Sequence, residues 1–106
     1  SNPEPSRATI MKHPAVYIMA SRRNGTLYTG VTSALVQRVW QHREGYFRGF
    51  TDDNACKLLV WFEMHEQMTA AIAHEKQIKG GSRKKKLALI EEANPQWRDL
   101  WPDICG

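Results

Sequence analysis

The sequence has 106 residues, 42% hydrophobic and 25% charged, which suits one compact globular domain and excludes two. It contains no apolar run long enough to span a membrane and no basic-then-apolar leader, so we expect a cytoplasmic protein. The net charge of +4 favours an anionic partner, and nucleic acid is the commonest such partner.

The chain start and the two cysteines refine this outline. Residues 1–12 are mostly polar and are expected to form a loose tail or a cloning remnant, which leaves one domain over 13–106. Cys56 and Cys105 match no metal-binding spacing. In a cytosolic protein, two reduced thiols are favoured over a single disulfide between them.

Two β-prone runs open the domain, the first at Ala15 to Ala20 and the second at Thr26 to Val31. Asn24-Gly25 between them is the strongest short signal for a β-hairpin. The two runs are therefore expected to pair as antiparallel strands.

The length of the hairpin loop decides whether two tyrosines can meet. A two-residue loop places Tyr28 across from Ser21, four residues along the strand from Tyr17. A four-residue loop over residues 22–25 instead places Tyr28 across from Met19, so that it is a diagonal neighbour of Tyr17 at about 7 Å. We favour the longer loop.

A helix is predicted next, capped by Thr32 or Ser33 and running to about Arg43. Arg38 and His42 are four positions apart on it and therefore lie on one face. Its apolar side is formed by four residues, Leu35, Val36, Val39 and Trp40.

The second half of the chain is predicted to contain a loop, a strand and further helices. After a loop predicted from Gly45 to Ala55, the apolar run from Lys57 to Glu63 is typical of a central strand buried on both faces. A helix with inward Met68, Ala71, Ile72 and Ile78 is predicted from Glu66 to Lys79, and Gly80-Gly81 ends it.

Ser82 is the predicted cap of a further helix that runs to about Ala93, with Leu87 and Ile90 facing inward. Asn94-Pro95 predicts the start of a last short helix, because asparagine is a favoured cap and proline suits the first helical position. Three large residues are expected to fold it back onto the core: Trp97, Leu100 and Trp101. The fold class is therefore α/β (of the α+β type), with a small three-stranded mixed or antiparallel sheet flanked by helices.

Five side chains with suitable chemistry for a phosphodiester stand at intervals along these elements. Each alone has an ordinary explanation: a strand tyrosine packs, a helical arginine or histidine faces solvent, and a helical glutamate pairs with a lysine four residues on. Together they offer phenol, guanidinium, imidazole and carboxylate groups. The candidate catalytic residues are Tyr17, Tyr28, Arg38, His42 and Glu75.

Their spacing resembles the GIY-YIG nuclease domain over about Pro14 to Trp101. The two signatures of that family are represented by Ala15-Val16-Tyr17 and Tyr28-Thr29-Gly30. Ala15 replaces the first glycine and Thr29 the isoleucine, while Gly30, which is expected to let the chain turn into the helix, is kept. The chain looks closest to small bacterial members, in which Glu-Lys-Gln-Ile-Lys and a final Asn-Pro-x-Trp recur.

One further position departs from the family pattern. Many members have an asparagine about a dozen residues after the glutamate, and that position is Leu87 here. Asn94 takes a related role or only caps the last helix, and we favour the cap.

The resemblance implies metal-dependent hydrolysis of DNA phosphodiester bonds, as an endonuclease in DNA repair or processing. It implies one Mg²⁺ or Mn²⁺ ion held by Glu75, with Arg38 stabilising the phosphate. Tyr17 is the candidate general base, Tyr28 positions the water or the phosphate, and His42 assists proton transfer or holds the phosphate. A basic stretch is expected to contact the DNA backbone through Lys76, Lys79, Arg83, Lys84, Lys85 and Lys86.

Two other readings remain open at this point. The non-literal signatures and the unmatched asparagine suit a nucleic-acid-binding module on the same scaffold with little or no catalysis. A structural or interaction domain, in which the tyrosines merely pack, is the third.

Overall fold

The protein is described by a computed structural model over residues 13–45 and 55–105. The predicted tail and most of the predicted loop from Gly45 to Ala55 lie outside these ranges. The described elements, in chain order, are β1 (Ala15–Ala20), β2 (Leu27–Thr32), α1 (Leu35–Arg43), β3 (Leu58–Met64), α2 (Met68–Gly80), α3 (Arg83–Ala93) and α4 (Trp101–Cys105). Among them, no helix has the length and apolar character needed to cross a bilayer.

The three strands form one antiparallel sheet in the order β2-β1-β3. This confirms the predicted fold class but corrects the predicted strand order, because β1 is central and β3 lies at an edge. All six residues of β1 are buried, since helices cover both faces of the sheet. The apolar run of β3 predicted a central strand because a later segment of the chain covers this edge, so its residues are as apolar as those of a central strand.

The hairpin has the four-residue loop that the sequence favoured. Met19 pairs with Tyr28, and the Ser21 backbone N–H donates to the Thr26 carbonyl at 3.0 Å to close the loop. Asn24 adopts a left-handed conformation with φ 58°, which asparagine tolerates better than most residues. The predicted diagonal arrangement of the two tyrosines is therefore confirmed.

Alternate residues of β1 face two separate cores. Tyr17 and Met19 point towards α1 and α4, and the core on that side also contains Leu35, Val39 and Ile104. Val16 and Ile18 point towards α2 and α3, against a core that includes Ala71, Ile78 and Ile90. The period of two along β1 thus sends the first candidate tyrosine to the side of the sheet on which Arg38 and His42 lie.

The helix starts agree only in part with the predicted caps. The Ser82 hydroxyl caps α3 by accepting from the Lys85 backbone N–H at 3.2 Å, as predicted. For α1, neither Thr32 nor Ser33 is the cap, because Ala34 holds that position. The Thr32 hydroxyl accepts from the Ala34 N–H at 2.9 Å and so stabilises the turn that leads into the helix.

Asn94-Pro95 does not begin a helix, and α4 starts only at Trp101. Asn94 ends α3 instead, and its buried amide joins separate parts of the chain. Its Nδ2 donates to the carbonyls of Val60 at 3.0 Å and Arg98 at 2.8 Å, and its Oδ1 accepts from the Arg98 N–H at 3.0 Å. With every side-chain atom of the amide occupied in this way, Asn94 caps no later helix.

The segment from Asn94 to Leu100 covers the outer edge of β3. The pairing of β1 with β3 shifts between Ile18 and Met19, which leaves Val60 as an extra residue in a β-bulge. The Leu59 carbonyl accepts from the Leu100 N–H at 2.8 Å, and the Leu59 N–H donates to Asp99 Oδ1 at 3.2 Å. As predicted, Trp97 is buried against the core, and Leu100 and Trp101 pack on it.

Both cysteines are free thiols, which agrees with the expectation for a cytosolic protein. Cys56 is buried and Cys105 is exposed. Burial raises the pKa of Cys56 above its ordinary value, which keeps this thiol protonated and unreactive near neutral pH.

Replacing Asn94 by aspartate should lower the free energy of unfolding by about 2–4 kcal/mol, because both donors to the Val60 and Arg98 carbonyls are lost. The measurement is urea denaturation, with Gln96→Glu as the control because Gln96 is an exposed amide in the same segment. Equal stabilities for the two variants would show that the buried amide does not hold this segment to β3.

Candidate active site

Three aromatic rings from three elements meet beside the sheet. The ring centroids of Tyr17 and Tyr28 are 6.2 Å apart, and His42 lies 5.6 Å from the first and 4.7 Å from the second. Tyr17 comes from β1, Tyr28 from β2 and His42 from α1. The hairpin register and the helix that follows it therefore bring together three of the five candidate residues.

Gly30 allows the three rings to come together because it leaves room for Tyr17, and not because it lets the chain turn into the helix, as predicted. It lies within β2 directly opposite Tyr17, so it does not form the turn into the helix. A Cβ atom built on Gly30 would lie 2.6 Å from both Cζ and the hydroxyl oxygen of Tyr17, closer than carbon atoms approach. The phenol lies across the bare backbone of Gly30, and any side chain there would push it away.

The Tyr17 hydroxyl and His42 Nε2 form a buried hydrogen bond of 3.0 Å. Burial lowers the pKa of His42 from 6.5 to about 4, and the positive charge of Arg38 contributes to the shift. Burial raises the pKa of Tyr17 well above its ordinary value. At neutral pH the imidazole is therefore uncharged and the phenol protonated, and the tautomer of His42 decides which of the two groups donates.

Arg38 and Glu75 act on the same phenol from different elements. After burial, the neighbouring Tyr28 contributes most to the raised pKa of Tyr17, and Glu75 acts in the same direction, whereas Arg38 lowers it. Glu75 belongs to α2, which packs on the opposite face of the sheet, yet its charge reaches Tyr17. Arg38 of α1 and Glu75 of α2 thus both influence the protonation of Tyr17.

Glu75 is buried and carries the one carboxylate of this neighbourhood among the described residues. Its Oε2 lies 2.9 Å from the ammonium of Lys79, which is half exposed. The carboxylate of Glu75 is a ligand type that fits Mg²⁺, which takes one or two carboxylates and completes its shell with water and phosphate. The residues present are therefore compatible with a divalent cation at Glu75.

The predicted basic stretch lies on α2 and at the start of α3, and it meets the hairpin loop. Arg83 Nη2 donates to the carbonyls of Asn24 at 2.9 Å and Gly25 at 2.7 Å. This contact brings the exposed Arg22 and Arg23 of the loop next to the start of α3. Of the other predicted cations, Lys76, Lys84 and Lys85 are exposed, and Lys86 is half-buried.

The sequence analysis missed a second polar cluster, on the face of the sheet that packs against α2. Glu63, at the end of β3, and His65 just after it face His74 of α2. The alternation Glu-x-His at the end of a strand is the signal that was available, because residues two apart share one face.

The fold and these residues define a nuclease-type domain. The chain matches the model of the GIY-YIG catalytic domain over residues 13–88, and it belongs to that family. Membership implies a nuclease-type function with DNA as the substrate class.

Several bacterial proteins are similar to this chain. The chain is 35% identical to the UPF0213 protein SSP2268 of Staphylococcus saprophyticus, over 73% of this chain and 93% of that protein. It is 36% identical, with the same coverage, to the UPF0213 protein SH2523 of Staphylococcus haemolyticus. The solution NMR structure of the UPF0213 protein BH0048 from Bacillus halodurans is 25% identical, with a TM-score of 0.53 over 82% of this chain and 92% of that one. These names state a family and no activity.

Gly30→Ala should lower the free energy of unfolding by about 1–3 kcal/mol, because the added methyl group overpacks against the Tyr17 ring. Gly80→Ala is the matched control, since a Cβ there meets nothing within 4 Å. It should leave stability unchanged or raise it by up to about 1 kcal/mol. Thermal and urea unfolding of both variants give the comparison, and equal effects would contradict the close packing of Tyr17 on Gly30.

Folding stability should fall as the pH drops from 6.5 towards 4, because His42 takes up a proton more readily in the unfolded chain than in the fold. The contribution of His42 is fully present above its unfolded pKa and is worth on the order of 2 kcal/mol. Urea unfolding across this pH range should show a steeper fall for the wild type than for His42→Gln. Parallel pH profiles would show that His42 is not held in its neutral form.

Proposed function

We propose that this protein is a metal-dependent endonuclease that hydrolyses phosphodiester bonds in DNA, in a repair or processing role in the cytoplasm. The observation that carries the proposal is the buried hydrogen bond of 3.0 Å between the Tyr17 hydroxyl and His42 Nε2. A phenol and a neutral imidazole in contact form a nucleophile-activating pair, of the kind in which an adjacent base accepts a proton.

Tyr17 and His42 can pass a proton without a charged phenolate in the resting site. As water attacks the phosphorus, Tyr17 Oη accepts the proton of the water and its own proton moves to Nε2 of His42. The lowered pKa of His42, about 4, keeps the imidazole free to accept at neutral pH. The raised pKa of Tyr17 makes a free phenolate base unfavourable, so His42 is the final acceptor and Tyr17 the relay.

Arg38 and Tyr28 are assigned to the phosphate. The guanidinium of Arg38 acts electrostatically on both Tyr17 and His42, so it lies beside the water-activating pair. A planar guanidinium matches two phosphate oxygens and stabilises the charge that develops on them. Tyr28, with its ring 4.7 Å from that of His42, orients the water or the phosphate from the β2 side.

Glu75 is the proposed ligand of one Mg²⁺ or Mn²⁺ ion. When bound, such an ion supplies positive charge that offsets the negative charge growing on the leaving oxygen. The ammonium of Lys79 lies 2.9 Å from Oε2 of Glu75 and orients the carboxylate before the substrate arrives. Lys79 is half exposed, so its ammonium is free to turn to a DNA phosphate.

The basic surface extends beyond the stretch found in the sequence. It consists of Lys76, Lys79 and Lys84 to Lys86 together with Arg22 and Arg23, which Arg83 ties to α3 through the hairpin loop. Such a surface binds the phosphate backbone without reading bases, so its affinity depends steeply on salt.

A DNA-binding module without catalysis is the second candidate. The ion pair between Glu75 and Lys79 favours it, because a permanently paired carboxylate would not bind a metal ion. It predicts salt-sensitive binding to DNA and no cleavage with any divalent ion.

Purified protein should nick or cut plasmid DNA in the presence of Mg²⁺ or Mn²⁺, and Glu75→Gln and Tyr17→Phe should each reduce the rate by at least about 100-fold. Both changes keep the shape of the side chain while removing the charge or the hydroxyl. Gel electrophoresis of plasmid forms over time gives the rates, and fluorescence anisotropy at several salt concentrations gives the affinity for DNA.

Glu92→Gln is the matched control, because Glu92 is an exposed carboxylate on α3. It should cut at the wild-type rate. A wild-type protein that binds DNA but never cuts it would favour the binding module, whereas full activity in Glu75→Gln would refute the assigned metal ligand.

A further inference from the structure

Glu63, His65 and His74 hold three ligand atoms in a nearly equilateral triangle. Glu63 Oε1 lies 3.1 Å from His65 Nε2 and 3.1 Å from His74 Nδ1, and the two nitrogens are 3.3 Å apart. Two of these residues come from the end of β3 and its exit, and the third from α2. Atoms from distant parts of the sequence therefore point at one place.

Hydrogen bonds cannot satisfy all three pairs of atoms in this triangle at once. If both imidazoles donate to Oε1 of Glu63, their two N–H groups face each other. If one imidazole donates to both other atoms, the bare nitrogen of the second faces the lone pairs of the carboxylate. At least one pair is repulsive in every arrangement of neutral rings, whereas a cation at the centre accepts all three lone pairs.

The size of the triangle fits a tetrahedral metal ion. Ligand bonds of about 2.0–2.1 Å to Zn²⁺ in a regular tetrahedron place neighbouring ligand atoms about 3.3–3.4 Å apart. The three distances of 3.1, 3.1 and 3.3 Å are close to this value. Two imidazoles and one carboxylate are also a ligand set that Zn²⁺ uses, with water in the fourth position.

We propose that Glu63, His65 and His74 form a binding site for Zn²⁺ or a similar first-row transition metal, separate from the Mg²⁺ or Mn²⁺ ligand Glu75. The nitrogen ligands favour zinc over magnesium, which prefers oxygen. The side chain of Glu63 is half exposed, so an ion and its water can enter from solvent.

The surroundings of the triangle support the geometry. The ring of Trp61 meets the ring of His74 edge-on, with centroids 6.1 Å apart, and so restricts the imidazole. The backbone N–H of His65 donates to the carbonyl of Pro14 at 2.8 Å, which fixes the chain where it leaves the sheet. Two of the three ligands are thus held in place by neighbours before a metal ion binds.

A metal ion at this site would fasten the exit of β3 to α2. His74 directly precedes Glu75, and consecutive helical residues point about 100° apart. His74 faces the triangle while the charge of Glu75 acts on Tyr17. The bound ion is therefore expected to fix the turn of α2 that carries Glu75 without taking part in the reaction.

The experiment is a zinc titration of the tag-free protein, treated with a chelator beforehand, in competition with a chromophoric zinc indicator. We expect one ion per chain and a higher melting temperature in its presence. His74→Gln and Glu63→Gln should each weaken binding by at least about tenfold, since even partners outside the metal shell contribute that much. Co²⁺ should give the absorption bands of a tetrahedral complex in the wild type but not in His74→Gln or Glu63→Gln.

Two controls separate this site from its neighbours. Glu66→Gln alters an exposed carboxylate next to His65, and Glu75→Gln alters the proposed nuclease ligand. Both variants should bind zinc as the wild type does. Zinc binding that is absent from the wild type, or that survives in His74→Gln and Glu63→Gln, would overturn the proposal, and neither result depends on DNA cleavage.

Discussion

The buried hydrogen bond between Tyr17 and His42 is the contact on which the arrangement of the site depends. It joins the central strand to α1, and Gly30 permits it by leaving room for the phenol. Burial of the pair determines which partner holds the proton, and leaving either group unpaired would cost about 1–3 kcal/mol. The hydrogen bond therefore requires the observed hairpin register, a glycine at position 30 and the observed start of α1. The charges of Arg38 and Glu75 then act on the pKa of Tyr17.

Local features of this fold could be predicted from the sequence because local chemistry determines them. Asn24-Gly25 and the apolar alternation on either side predicted the hairpin, and Ser82 predicted the start of α3. The sequence left two registers for the hairpin, of which the favoured one is observed. The spacing of the tyrosines to Arg38, His42 and Glu75 predicted a shared site, since strand pairing and helix periodicity convert such spacing into proximity. The family match supports the same class of function.

Features that depend on distant partners could not be predicted in this way. Nothing local distinguishes a central strand from an edge strand that a later segment covers. The sequence therefore predicted β3 as the central strand, whereas β1 is central. Asn94-Pro95 has the residues of a helix start, but the hydrogen bonds of Asn94 to Val60 and Arg98 prevail over that local preference. Likewise, the raised pKa of Tyr17 follows from burial, which only the assembled fold creates.

The cover over β3 has a consequence for how copies of this protein can associate. An uncovered edge strand offers its backbone groups to the strand of another chain, which is a common route to aggregation. Here the Leu59 N–H donates to Asp99, and the Leu59 carbonyl accepts from the Leu100 N–H. The Val60 carbonyl accepts from the side chain of Asn94. The middle of β3 is therefore closed to strand addition, and the small sheet cannot be extended into a continuous intermolecular sheet on this side.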